Sequence, residues 1–379
     1  RHPEDIALTC VSTEVGGDVV LGPDLVALGT CSLATATVGH GLKLTGSALV
    51  GEIALNLSST HVGESVSLTR CACMGNIHAV ALEVKGDLDC EGLELVTTPE
   101  RANALLRRVR EKQGGGPDET VAYDTPSWPF GLTAEFAVIG RRFRWLEVAH
   151  TTDVSVNLFH ARAGALVDDE ASWPTRGNLE LDGFEYDSIA VGPTDALTRL
   201  RWISRAQRGG YHPQPYEQLA RVLRAQGWPE EATRVAIAKL ERRRRYATLT
   251  RWDRGVATVL RWTIGHGYRP QLALAWAALV VAAGALVFGQ AQAWGLLVPI
   301  TDRAVTLGFR SVGYSLDTFL PIIDLQQAAH WLPSGGAGPR VLGLPAGSWL
   351  WIYHWLHTVL GWALTTLAVA GFSGLVRRD

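Results

Sequence analysis

The sequence is poor in residue patterns that carry chemistry. It has no Walker loop, no HExxH, no GxSxG and no strand–turn–helix GxGxxG. Those are the spacings that place phosphate-binding amides, zinc ligands or an activated serine. Gly39-His40-Gly41 belongs to a glycine repeat and is not a dinucleotide fingerprint. Cysteine is scarce: Cys10, Cys31, Cys71, Cys73 and Cys90 are all there is, an odd number confined to the first 90 of 379 residues. A zinc site needs paired CxxC spacing, which Cys71-x-Cys73 does not supply. Buried, reduced thiols in a reducing compartment are the expectation. No signal-peptide pattern opens the sequence, and it begins at Arg1 rather than Met, so the natural start is expected upstream. An enzyme is left open, but no residue receives a catalytic role.

Net charge is also nearly absent, at −2, yet it is unevenly spread. Residues 1–120 hold 9 Lys/Arg and 16 Asp/Glu, whereas residues 195–270 hold 16 Lys/Arg and 6 Asp/Glu. A basic block ahead of a hydrophobic run fits an anionic membrane surface. Nucleic acid is not expected, because no recognition motif accompanies the charge.

What is present is a repeat. Gly17, Gly29, Gly39, Gly51, Gly63, Gly75 and Gly86 lie 10 to 12 residues apart. Short alternations of apolar and polar residues follow them, as in Ile53-Ala-Leu55-Asn-Leu57. Alternation of period two marks strands with one buried face. Glycine at a fixed interval marks bends where a side chain would crowd or positive φ is needed. Together they predict a β-solenoid over residues 1–190, with Leu55, Val66 and Ile77 in one continuous core. A meandering β-sandwich is the rival. Residues 99–112 read as an amphipathic helix and 114–117 as a loop, a helical insertion or cap near 99–116. Phe143-Arg-Trp145 and Val154-Ser-Val156-Asn-Leu158 resume the alternation.

Residues 194–269 form a basic helical segment. Tyr216, Leu219, Ala220, Leu223, Gly227 and Ala232 have the spacing of one tetratricopeptide-type hairpin, or of an ordinary helical pair turning at residues 227–229. Its second helix runs into Arg242, Arg243, Arg244 and Arg245, expected to contact lipid or solvent.

Residues 270–379 are read as a membrane domain with spans at about 272–290 and 349–376, since ~20 apolar residues cross a bilayer core. Trp349, Trp351, Tyr353 and Trp355 would form an interfacial belt. Arg251, Arg254, Arg261, Arg269, Arg377 and Arg378 flank the pair, against Arg303, Arg310 and Arg340 between the spans. That bias places both termini inside, in a multi-pass protein of the plasma (inner) membrane. Residues 313–325 are too short and too charged to span, and read as an interfacial clamp or re-entrant segment without a TVGYG filter. His354 and His357, three apart on the second span, share a face. They could hold a metal or haem iron, with His330 or Asp324 as further ligands, or hydrogen-bond at the interface. His40, His61 and His78 are expected on the coil surface.

The segments LDGFEYDSI, HPQPYEQLARVLRAQG, IAKLERRRR, GHGYRP and YSLDTFLPIIDL occur in that order. In them the sequence resembles a group of uncharacterised actinobacterial two-span membrane proteins with a glycine-phased β-repeat region, from about residue 177 to the end. Such proteins are often labelled "membrane-associated oxidoreductase", and the resemblance implies the same architecture. Three functions follow as expectations. The first is a non-catalytic, membrane-anchored cytoplasmic scaffold whose solenoid binds a protein partner, with no cofactor. The second is an oxidoreductase with metal or haem at the spans. The third is a two-span homo-oligomeric channel.

Overall fold

The structure, a computed structural model, describes residues 6–23, 25–96, 104–105, 107, 131–149, 154–175, 178–206, 210–246, 250–265, 271–302, 304, 308–320 and 322–373. The chain forms two compact units, Arg1–Ala247 and Thr248–Asp379. The expected basic helical segment is therefore divided, with its helices before residue 247 in the first unit.

The first unit is a parallel β-solenoid of about six turns. Parallel pairing throughout excludes the sandwich, whose strands would be antiparallel. Leu55 pairs with Cys31, 24 residues earlier, and Ile77 pairs with Leu55, 22 residues earlier. One coil is thus twice the glycine interval, and each coil carries two glycine bends. The inner faces stack in columns. One runs Cys31, Leu55, Ile77, Leu132, Val156, Leu179. Another runs Val19, Leu42, Val66, Leu88, Phe143. Leu55, Val66 and Ile77 are all fully buried in one cluster, as the alternation predicts.

Bends and corners divide the work. At the glycine bends, backbone stacks on backbone: a Cβ at Gly63 would strike the carbonyl of Gly39, and one at Gly75 that of Gly51. The left-handed corners belong to other residues. Ser12, Thr35, Ser59, Ala81, Phe136 and His160 recur once per coil, all with φ between 51° and 58°. Their amides donate to the next coil, as Ser59 N does to Val80 O at 2.8 Å. A second corner ladder mixes Gly46, Arg70, Gly92 and Glu147. Crowding, more than positive φ, therefore explains the glycine phase.

Within the predicted insertion, residues 104, 105 and 107 are helical, and Leu105 packs on an outward apolar patch of Val50, Met74 and Val96. The remainder of that helix and the 114–117 loop lie outside the described residues.

Three helices close the far end of the solenoid: α1 (Ala196–Ala206), α2 (Gln214–Ala225) and α3 (Pro229–Tyr246). The expected hairpin is α2–α3, turning at Gly227 with φ 86°. Tyr216, Leu219, Leu223 and Val235 complete the solenoid core. The last strand, Glu185–Val191, would otherwise expose unpaired backbone groups, a template for aggregation. Glutamines of α2 cover them. Gln214 accepts from Gly183 N (3.0 Å) and donates to Phe184 O (3.1 Å). Gln218 donates to Tyr186 O. Gln226, just past α2, accepts from Ile189 N (3.0 Å) and donates to Ile189 O (2.9 Å).

In the second unit, α4 (Arg251–Ile264) precedes two long apolar helices, α5 (Gln271–Ala293) and α7 (Ala346–Phe372), with the short α6 (Ser311–Phe319) packed against both. Both long helices are long and apolar enough to cross a membrane, with mean hydropathy of 2.3 and 1.3 over their most apolar windows. Only 17 % and 22 % of those windows is buried, so their apolar surface faces outward, unlike a core helix.

Candidate functional site

The solenoid surface, the cysteines and the arginine block belong to the first unit, and the histidine pair to the second. On the solenoid, the bend at Gly39, Gly63 and Gly140 leaves a groove of about 570 Å³ along the coil stack. Three of the four positions stacked along it are glycine, where a Cβ would meet the coil below, and the fourth is Lys85. His61, Glu83 and Lys85 stand along it. His61 Nε2 lies 3.3 Å from Glu83 Oε2, and both side chains are exposed. His61 is thus a coil-surface residue, as expected, and it lies in this groove.

The cysteines lie inside the coils. Cys31, Cys71, Cys73 and Cys90 are buried and unpaired, and Cys71 Sγ contacts Leu44 O at 2.7 Å. Among the described residues, no three His, Cys, Asp or Glu side chains form a metal cluster. Burial pushes the thiols of Cys31 and Cys71 up to about 11, and holds those of Cys73 and Cys90 well above the usual thiol range. Only the thiolate reacts readily. At pH 8 these four are protonated as well as inaccessible. A thiol reagent added to the folded protein is expected to modify Cys10 alone, and all five after denaturation. Reaction of Cys73 in the folded protein would show that the core opens.

At the apolar helices, His357 is buried and its Nε2 lies 3.0 Å from Ser315 O and 3.2 Å from Ser315 Oγ. The Ser315 hydroxyl donates to Val281 O at 2.8 Å. Nε2 therefore carries the proton and donates to Ser315, while Nδ1 is left as a buried atom with no hydrogen-bond partner among the described residues. Gly284 makes the room: a Cβ there would meet Ser315 Oγ and the His357 ring. His354 Nδ1 lies 3.3 Å from the Tyr314 hydroxyl, and Phe288 stands edge-on to both histidines.

The two histidines share a face, but each commits one ring nitrogen to α6. His330 bonds Thr301 (2.8 Å), and Asp324 caps its own turn at Gln326 N. Asp317, which the sequence did not single out, closes the return loop by accepting from Leu325, Gln327 and Ala328 amides. Residues 313–325 thus contain a helix clamped against α5 and α7. The pair as packed fits a helix junction, with one nitrogen of each ring held by α6.

The four arginines lie at the C-terminal end of α3, Arg243, Arg244 and Arg245 in its last turn. Successive helical residues point about 100° apart, so four in a row cannot share one face. Arg243 and Arg245 are exposed, while Arg242 and Arg244 are half-buried. The Arg242 guanidinium lies over the Tyr246 ring, 4.4 Å from its centroid.

The strongest polar site in the first unit is one the sequence did not reveal. Asp168 and Arg199 form a bidentate pair (2.6 and 2.8 Å) at 1 % and 2 % exposure. Trp173 Nε1 donates to Asp168 at 2.6 Å, and Arg199 Nε to Pro193 O at 2.7 Å. The pair joins the last coils to the helical cap. The glutamines of α2 did have a signal: Gln214, Gln218 and Gln226 recur at helical spacing in one motif.

No protein family, curated protein or solved structure matches this chain.

Proposed function

We propose that this chain is a membrane-anchored scaffold whose solenoid holds a protein partner on its cytoplasmic side. The groove along the Gly39, Gly63 and Gly140 bend carries the reading. It runs across several coils of a rigid stack, and repeat solenoids present such extended surfaces to other chains. The anchor is α5 and α7, read as spans on their length and outward apolar surface. Six flanking arginines against three between the helices support an orientation with both termini in the cytoplasm of a multi-pass plasma-membrane protein. Arg243 and Arg245, with the half-buried Arg242 and Arg244, are suited to the anionic inner leaflet.

The test is a photo-crosslinking amino acid at His61, on the groove, in the full chain expressed in cells. A discrete adduct is expected there and none with the same residue at Glu230, an exposed position on α3. Equal, diffuse labelling at both positions would remove the scaffold reading. Topology has its own test. A cysteine at Gly336, between the spans, is expected to react with an impermeant maleimide added outside cells, and one at position 115 is not. The opposite labelling would invert the orientation.

A further inference from the structure

The helix before the first apolar helix has a face that none of the described residues covers. The helix α4 is defined at both ends. Thr250 caps its start, accepting from Asp253 N at 3.1 Å, and Gly265 ends it in the left-handed conformation, φ 54°. It is therefore an element of its own and not a frayed start of α5. Its inner side packs inward through Ile264, which is fully buried, and Leu260, which is half-buried.

An adjoining side is apolar and exposed. Trp252, Val256, Val259 and Trp262 recur at helical spacing, with exposures of 79, 40, 56 and 64 %. A tryptophan at each end of such a stripe places a ring with an apolar body and a polar N–H where water meets hydrocarbon. The helix sequence carries three arginines, Arg251, Arg254 and Arg261, against the single Asp253. An apolar stripe on a helix of net positive charge complements an anionic lipid surface, because the stripe enters the acyl boundary while cations meet the headgroups.

The stripe is also continuous with the outward surface of α5. Trp276 Nε1 donates to Trp262 O at 2.9 Å, so the end of α4 is tied to the early turns of α5. There Leu274 and Leu279 are exposed at 53 and 58 %. If the outward surface of α5 faces lipid, the Trp262 end of the stripe lies against the same medium.

From this geometry we infer that α4 is an interfacial helix that lies in the headgroup–acyl boundary of an anionic leaflet, with Trp252, Val256, Val259 and Trp262 immersed. The inference rests on the reading that α5 crosses the membrane. It assigns the main lipid contact to α4 rather than to the arginine block at the end of α3. The lever is hydrophobic as well as electrostatic, so the contact persists when salt screens the arginines.

The test uses the full chain with Cys10→Ser, which removes the one cysteine that is not buried. An environment-sensitive fluorophore is attached in turn at Val256→Cys, at Leu286→Cys on the outward surface of α5, and at Glu230→Cys as an aqueous reference. The protein is reconstituted in vesicles of phosphatidylglycerol and phosphatidylcholine. Quenching by brominated acyl chains reports lipid, and quenching by iodide reports water. The label at 256 is expected to be blue-shifted, quenched by brominated lipid and shielded from iodide, as at 286, while the label at 230 shows the reverse. Iodide quenching at 256 with lipid quenching at 286 overturns the inference and leaves the span intact. Absence of lipid quenching at 286 overturns the spanning reading itself. A label at 256 shielded from both quenchers means that protein covers the stripe, and also overturns the inference.

Discussion

Alanine at Arg199 is expected to detach the helical cap from the solenoid. The guanidinium is almost wholly buried and makes two short bonds to Asp168 and one to Pro193 O. Removing it leaves the Asp168 carboxylate buried without its cation, with Trp173 Nε1 still donating to it. Breaking a buried pair by removing one partner costs about 3–5 kcal/mol. At roughly 2–4 °C per kcal/mol for a unit of this size, the transition should fall by on the order of 10 °C. The aromatic cluster of Trp145, Trp173, Tyr186 and Trp202 surrounds the pair, so near-ultraviolet circular dichroism of the purified full chain follows the event. Replacing both partners with leucine should cost less than Arg199→Ala, because no buried charge is stranded. A single mutant that melts with the parent would mean that the pair does not hold the cap.

Gly75→Ala should be nearly as damaging, for a different reason. Gly75 sits at φ 137°, a conformation that L side chains rarely adopt, and an added Cβ would run into the carbonyl of Gly51 in the coil below. Backbone strain of about 1–3 kcal/mol adds to a similar overpacking cost. The neighbouring coil can relieve the clash only by breaking register, so chemical denaturation should show a lower midpoint. Gly46→Asn is the matched comparison. Gly46 is also at positive φ (72°), but its ladder already accepts Arg70 and Glu147, and asparagine tolerates the left-handed region. Its expected cost is below about 1 kcal/mol. If the two substitutions cost the same, close coil contact is not what the glycines serve.

These two ladders show how far the sequence could be read. The glycines at 51, 63 and 75 were visible because crowding admits only one residue type, so the constraint prints itself on the chain at a constant interval. The corners at Ser12, Thr35, Ser59, Ala81, Phe136 and His160 were not visible. A left-handed turn tolerates several residue types when the hydrogen bond to the next coil offsets the strain, so no single letter repeats. The candidate site in the apolar helices was half visible. His354 and His357 stood out as ionisable groups in apolar runs. Their partners Tyr314 and Ser315 did not, because α6 is brought to them by the return loop that Asp317 ties. The arginine block looked like one patch as a string of letters. Helical geometry turns its members to different sides.

Period-two alternation, the glycine interval and the two long apolar runs were sufficient by themselves to determine a solenoid, its inward residues and two helices able to cross a bilayer. Each of those is a local property: the pattern along a short stretch states which surface is buried or which medium it meets. Only the tertiary structure decided what joins the parts of each unit. Asp168 meets Arg199 across 31 residues and Ser315 meets His357 across 42, in each case once and without repetition. A pair that occurs once leaves no period in the chain, and its strength comes from burial that the fold alone creates.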